Sequence, residues 1–201
     1  MCSNCSHPQK TRNQTTGGKD EAAMKNYLIV VDMQNDFVDG ALGSKEAEAI
    51  VPQVVQTIGA FDGDIFVTYD THYENYLDTA EGKKLPVPHC IKGTAGWQLN
   101  AAVEAALAGK PVTRVEKITF GSVDLPELIK ARADGAPFGI KLIGLCTDIC
   151  VVSNALLLKA AFPEAPICVD AACCAGVTPE THTAALATMR CCQIDVINDH
   201  D

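Results

Sequence analysis

The chain has 201 residues, 47% of them apolar and 20% charged, which suits one domain of moderate size, or one domain with a tail, that needs no disulfide or metal staple. No run approaches the ~18 apolar residues of a membrane span, so no membrane partner is expected. Twenty-five acidic residues against 16 basic ones give a net charge of −9, and a surface of that sign repels phosphate backbones, which argues against nucleic acid as a partner.

Ten cysteines are the least ordinary feature of the composition. The chain opens Met-Cys-Ser-Asn-Cys without the apolar stretch of a secretory signal, and Cys173-Cys174, Cys191-Cys192 and Cys168 sit side by side or in apolar runs. They read as reduced packing residues of a cytoplasmic protein.

In chain order, residues 1–24 are polar and aperiodic and are expected to form a disordered tail. Cys2, Cys5 and His7 in that tail lack the second cysteine pair of a structural metal site. Beyond it, short β-branched runs predict strands at 27–31, 65–69, 112–115, 140–145, 167–169 and 194–197. Between them, Ile50, Val54 and Ile58 recur at helical spacing, with Pro52 expected near the helix start. Leu99, Val103 and Leu107 repeat the pattern, closed by Gly109-Lys110-Pro111, and Pro126 marks the first turn of another helix. The last two helices are expected at 147–160 and 179–191. Apolar strands alternating with helices predict an α/β fold, a three-layer αβα sandwich with a six-stranded, mainly parallel sheet. Such sheets carry their sites beyond the C-terminal strand ends.

Three of those ends carry reactive side chains. Asp32 follows four apolar residues of the first strand, where burial raises and a cationic neighbour lowers its pKa. Lys117 closes the third strand and can serve a nearby carboxylate or thiol. After the fourth strand, Thr147 or Asp148 is positioned to cap a helix, which puts Cys150 in a first turn that favours thiolate. An acid, a base and a thiol thus share one sheet edge. The second strand ends Asp70-x-His72, and a long loop later brings His89. A carboxylate and two imidazoles suit Zn²⁺, Fe²⁺ or Mn²⁺, with Glu81 available as a fourth ligand.

These motifs resemble those of the isochorismatase-like cysteine hydrolases, and within them the nicotinamidases, from about residue 27 to 197. The resemblance rests on Asp32-Met33-Gln34-Asn35-Asp36-Phe37, on Lys117 followed by Phe120-Gly121-Ser122, and on Gly144-Leu145-Cys146-Thr147-Asp148-Ile149-Cys150-Val151. Val169-Asp170-Ala171 and the helix start at 178–182 add to it. It implies one hydrolase domain over 25–201 with Asp32, Lys117 and Cys150 as a triad. A cis peptide before Cys146 and an oxyanion hole of the Cys146 and Cys150 backbone N–H groups are also implied. Simple isochorismatases lack the nucleophilic cysteine, so Cys150 points away from vinyl-ether cleavage.

For the metal, the resemblance implies Asp70, His72 and His89 as ligands, Glu81 as an additional one, and zinc ahead of iron or manganese. Phe37 and Gln34 are expected at the substrate, whose ring nitrogen meets the metal. Pro86 departs from the pattern, standing where nicotinamidases usually carry an aromatic residue. The implied reaction is hydrolysis of nicotinamide to nicotinate and ammonia through a Cys150 thioester, in a homo-oligomer. Two alternatives stand beside it: a hydrolase of a ureido or carbamoyl compound, and a non-catalytic binding or redox module.

Overall fold

The four consecutive apolar residues Leu28-Ile29-Val30-Val31 at the end of the first strand have no polar face to turn toward water, and the fold covers them on both sides. The structure, a computed structural model, describes residues 24–199. The tail expected over 1–24, with Cys2, Cys5 and His7, lies outside the described residues except for Met24. Six strands, β1 (Lys25–Val31), β2 (Asp64–Asp70), β3 (Val112–Lys117), β4 (Phe138–Leu145), β5 (Ile167–Ala175) and β6 (Asp195–Ile197), form one sheet in the order β3-β2-β1-β4-β5-β6. Every neighbouring pair is parallel. The chain therefore winds outward from β1 in one direction, returns, and continues from β4 in the other.

Alternate residues of β1 serve the two faces. Ile29 and Val31 join the core beneath α4 (Leu125–Ala133), α5 (Val152–Ala161) and α6 (Pro179–Cys191). Leu28 and Val30 join the other, beneath α2 (Lys45–Ala60) and α3 (Ala101–Leu107). A short helix, α1 (Asn35–Val38), follows β1 after the connection Asp32-Met33-Gln34. Among the described residues, no helix is long and apolar enough to cross a membrane.

Three expectations about elements are corrected. Pro52 lies inside α2 rather than near its start, because the Ser44 hydroxyl accepts from the Ala47 N–H and begins the helix at Lys45. Pro52 faces solvent, where its missing N–H leaves a carbonyl to water. The strand expected at 167–169 runs on to Ala175, so Cys173 and Cys174 are strand residues buried on opposite faces. The segment expected as one helix from 147 opens with a π turn, Thr147–Val151, before α5 begins. Cys191 and Cys192, expected as packing residues, are exposed at the end of α6.

Candidate active site

Parallel pairing brings the polar strand ends level. Val31 pairs with Thr68 of β2 and with Gly144 of β4, and Asp70 pairs with Lys117. Asp32, the next residue after β1, is fully buried and adopts φ +47, a left-handed conformation that a non-glycine residue reaches only under constraint. The constraint comes from Thr68: its hydroxyl donates to Asp32 Oδ1 at 2.7 Å, and its carbonyl accepts from the Asp32 N–H at 3.3 Å.

Lys117 Nζ occupies the centre of the site. It lies 2.7 Å from Asp32 Oδ2, 3.3 Å from Asp70 Oδ1 and 3.6 Å from Cys150 Sγ. Burial alone would favour the neutral amine, but Asp32, Cys150 and Asp70 outweigh it and hold the lysine charged. Asp32 goes the other way. Burial raises its pKa more than Lys117 lowers it, which makes it a better proton acceptor than an ordinary aspartate.

Cys150 corrects the expectation of a thiolate favoured by a helix start. Its pKa is raised well above the usual thiol value, first by burial and then by the Asp32 charge, with a hydrogen bond to Asp32 holding the proton on sulfur. Neither expected cap is made. Thr147 Oγ1 meets His182 Nδ1 at 2.7 Å, and the Asp148 carboxylate accepts from the Val177 N–H at 3.1 Å. Cys150 therefore rests as a thiol beside the Asp32 carboxylate. The thiol of Cys146, after a cis Leu145–Cys146 peptide bond, is likewise pushed up to about 12, first by burial and then by the Asp148 charge.

A second cluster adjoins the first through Asp70. Asp70 Oδ2 stands 3.0 Å from His72 Nε2 and 3.5 Å from His89 Nε2, and Glu81 Oε1 is 3.7 Å from each imidazole nitrogen. Burial would raise the Asp70 pKa, but its contacts with His72 and His89 and the Lys117 charge hold it well below the usual carboxylate range. The Val87 carbonyl lies 2.8 Å from His89 Nδ1 and can only accept, so it takes the Nδ1 proton and turns Nε2 toward Asp70 and the cluster. The segment after His89 is pinned to His72: the His72 N–H donates to the Cys90 carbonyl, and the Cys90 N–H donates to Asp36.

The donor set fits a divalent cation. The ligand atoms of Asp70, His72 and His89 lie within 4.8 Å of one another, and buried His72 Nε2, though 3.0 Å from Asp70 Oδ2, makes no well-aligned hydrogen bond. An unsatisfied buried nitrogen is costly, and a cation among these three groups would satisfy it.

Both clusters open onto one cavity of about 680 Å³, whose walls include Phe37, Glu81, Cys146 and Cys150 together with the three candidate ligands. Asp32 and Lys117 stand behind Cys150, off the cavity wall. The Phe37 ring lies 5.4 Å from that of His89. Gln34, expected at the substrate, is fully buried away from the wall. Its carboxamide accepts from the Asp70 N–H at 2.8 Å and donates to the Asp70 and Trp97 carbonyls at 2.9 Å, so it positions Asp70 by its backbone. Pro86 is also off the wall, and its neighbour Leu85 is on it.

Three residues enter the site that the motifs did not single out. Thr68 orients Asp32. Tyr76 packs its ring against His72 and His89, with centroids 4.7 and 5.1 Å away. Asn154, buried one turn after Cys150, donates to the Cys150 carbonyl at 2.8 Å and accepts from the Ser122 N–H at 2.9 Å. A threonine inside an apolar strand and an asparagine inside an apolar helix start were the available signals.

A centre of this kind, on a doubly wound sheet, has known counterparts. The isochorismatase-domain family model matches residues 26–201, and the chain belongs to that family. A nicotinamidase/pyrazinamidase of Mycobacterium tuberculosis is 27% identical over 191 residues, 85% of this chain and 97% of that protein. The solved pyrazinamidase/nicotinamidase of Streptococcus mutans superposes with a TM-score of 0.74 at 30% identity, covering 86% of this chain and all of the other. An N-carbamoylsarcosine amidase from Thermoplasma acidophilum gives 0.68 at 26% identity, covering 86% and 95%.

Proposed function

We propose that the protein hydrolyses nicotinamide to nicotinate and ammonia, with Cys150 as nucleophile and a divalent cation, zinc foremost, held by Asp70, His72 and His89. The observation that carries this reading is the convergence of a buried acid–lysine–thiol cluster and a carboxylate–imidazole cluster on a single cavity. Likeness to nicotinamidases over most of the chain supports the substrate. Free thiols at all eight described cysteines agree with a reducing, cytoplasmic setting.

In this reading Asp32 takes the proton of the Cys150 thiol while Lys117 stabilises the charged pair. Sulfur attacks the amide carbonyl, and the backbone N–H groups of Cys146 and Cys150 receive the developing oxyanion. Asp32 returns the proton to the departing nitrogen, because ammonia leaves far more readily than its anion. Asp32 then removes a proton from the water that cleaves the thioester, giving nicotinate and the free thiol. When bound, the cation supplies a Lewis-acid point for the pyridine nitrogen, Asp70, His72 and His89 would hold it, and Glu81 is within reach of both imidazoles. Phe37 flanks the ring.

Likeness to a carbamoyl-amide hydrolase favours a second reading, hydrolysis of a ureido or carbamoyl compound by the same triad. A panel of nicotinamide, pyrazinamide and carbamoyl amino acids, scored by ammonia release with and without added Zn²⁺, separates the two. Release from the pyridine amide is the expected result. Release from the carbamoyl compounds alone would transfer the assignment to the second reading.

A further inference from the structure

Resting on the reading of this site as a pyridine-amide hydrolase, we infer that its outer half is a subsite for an apolar substituent on the substrate ring, so that the preferred substrates are aromatic amides larger than nicotinamide itself. The first observation is size. A cavity of roughly 150 Å³ accommodates a single benzene ring, whereas the space in front of Cys150 measures about 680 Å³. The second is the character of the surplus. Ten large apolar side chains are exposed among the described residues, and four of them, Tyr73, Leu85, Ile118 and Phe120, line this one cavity. Ile118 is 69% and Phe120 47% exposed, and apolar side chains exposed together on the wall of one cavity mark a surface that meets a ligand.

The third observation is that this wall is built. Phe120 belongs to the loop that follows β3 and Lys117, and buried Asn154 clamps the loop: its carboxamide donates to the Phe120 carbonyl at 3.3 Å and accepts from the Ser122 N–H at 2.9 Å. The same carboxamide nitrogen donates to the Cys150 carbonyl at 2.8 Å. Within the loop, the Thr119 hydroxyl donates to the Gly121 carbonyl at 2.6 Å. The apolar wall is thus tied through a single side chain to the backbone of the nucleophile. A substituent seated against Ile118 and Phe120 is fixed relative to the reacting sulfur, and binding energy gained there is available to the transition state.

The test compares nicotinamide with nicotinamides that carry a phenyl group at each of the four free ring carbons in turn, using Zn²⁺-loaded full-length enzyme and ammonia detection. At one position kcat/KM is expected to exceed that of nicotinamide by about tenfold or more, the scale of discrimination an apolar pocket provides. Phe120→Ser and, separately, Ile118→Ser should remove most of that ratio. Nicotinamide turnover with no phenyl derivative exceeding it overturns the inference and leaves the hydrolase reading standing. A preference that survives both variants also overturns it, since the wall would not be its source. Loss of a concentration-dependent dimer in Phe120→Ser, with the ratio unchanged, would make the wall a subunit contact instead. Absence of turnover with all five amides removes the hydrolase reading and this inference with it.

Discussion

Lys117 Nζ has an aspartate on two sides and a thiol on the third, and each contact gives its removal a separate consequence. Lys117→Met leaves two buried carboxylates without their cation, which should destabilise the fold by about 3–5 kcal/mol in urea unfolding; unchanged stability would mean that the pairs contribute nothing. Cys150→Ala removes only the proposed nucleophile, so turnover should fall by at least ~10³-fold while the unfolding midpoint stays near that of the wild type. The sign of the pH effect follows from Asp32. A base works only when ionised, and burial raises its pKa, so the acid limb of kcat/KM should lie above the ~3.9 of a free aspartate. Thr68 donates to that carboxylate and opposes the rise. Thr68→Val should therefore move the acid limb to higher pH, and a limb that moves lower would contradict the role assigned to Thr68.

At the scale of elements, the strand ends were the legible part, because a polar residue that closes an apolar run needs only the local sequence to be noticed. Asp32 and Asp70 stood out in this way, Lys117 as the charged end of a strand and Cys150 as an expected helix start, and the parallel sheet then brought the three strand ends level. What depends on distant partners was not legible. Gln34 sits in the motif beside Asp32, yet only the position of β2 shows that its carboxamide is spent on the Asp70 backbone. The thiol environment of Cys150 was misjudged for the same reason, since a helix start is a local feature whereas full burial and the Asp32 charge are tertiary ones. The bounds of α2 and β5 followed a cap and a register shift that apolar spacing does not encode. One element-scale prediction concerns Gly144, at φ +117, where an added Cβ would lie 2.1 Å from the Val31 carbonyl oxygen. Gly144→Ala should separate β4 from β1 next to Asp32 and lower stability by more than ~1 kcal/mol, measured by denaturant unfolding. A neutral result would show that the β1–β4 contact can relax.

For the whole molecule, the fold brings the ends of β1 to β4 to one edge, and two clusters with different chemistry share Asp70 there. The thiol cluster is complete from protein groups alone. The imidazole cluster leaves His72 Nε2 unsatisfied, so metal occupancy should register in stability as well as in rate. Dialysis against a chelator should lower Tm, added Zn²⁺ should restore it by mass action, and His72→Ala should abolish the response. Identical melting with and without metal would make Asp70, His72 and His89 a hydrogen-bonded cluster and no more.

The central claim, cysteine-dependent hydrolysis of a pyridine amide, is tested most directly by measuring nicotinate and ammonia together after incubating nicotinamide with Zn²⁺-loaded protein and with Cys150→Ala. Equimolar nicotinate and ammonia are expected from the wild type and neither product from the variant. No product from the metal-loaded wild type, or equal product from Cys150→Ala, would contradict it.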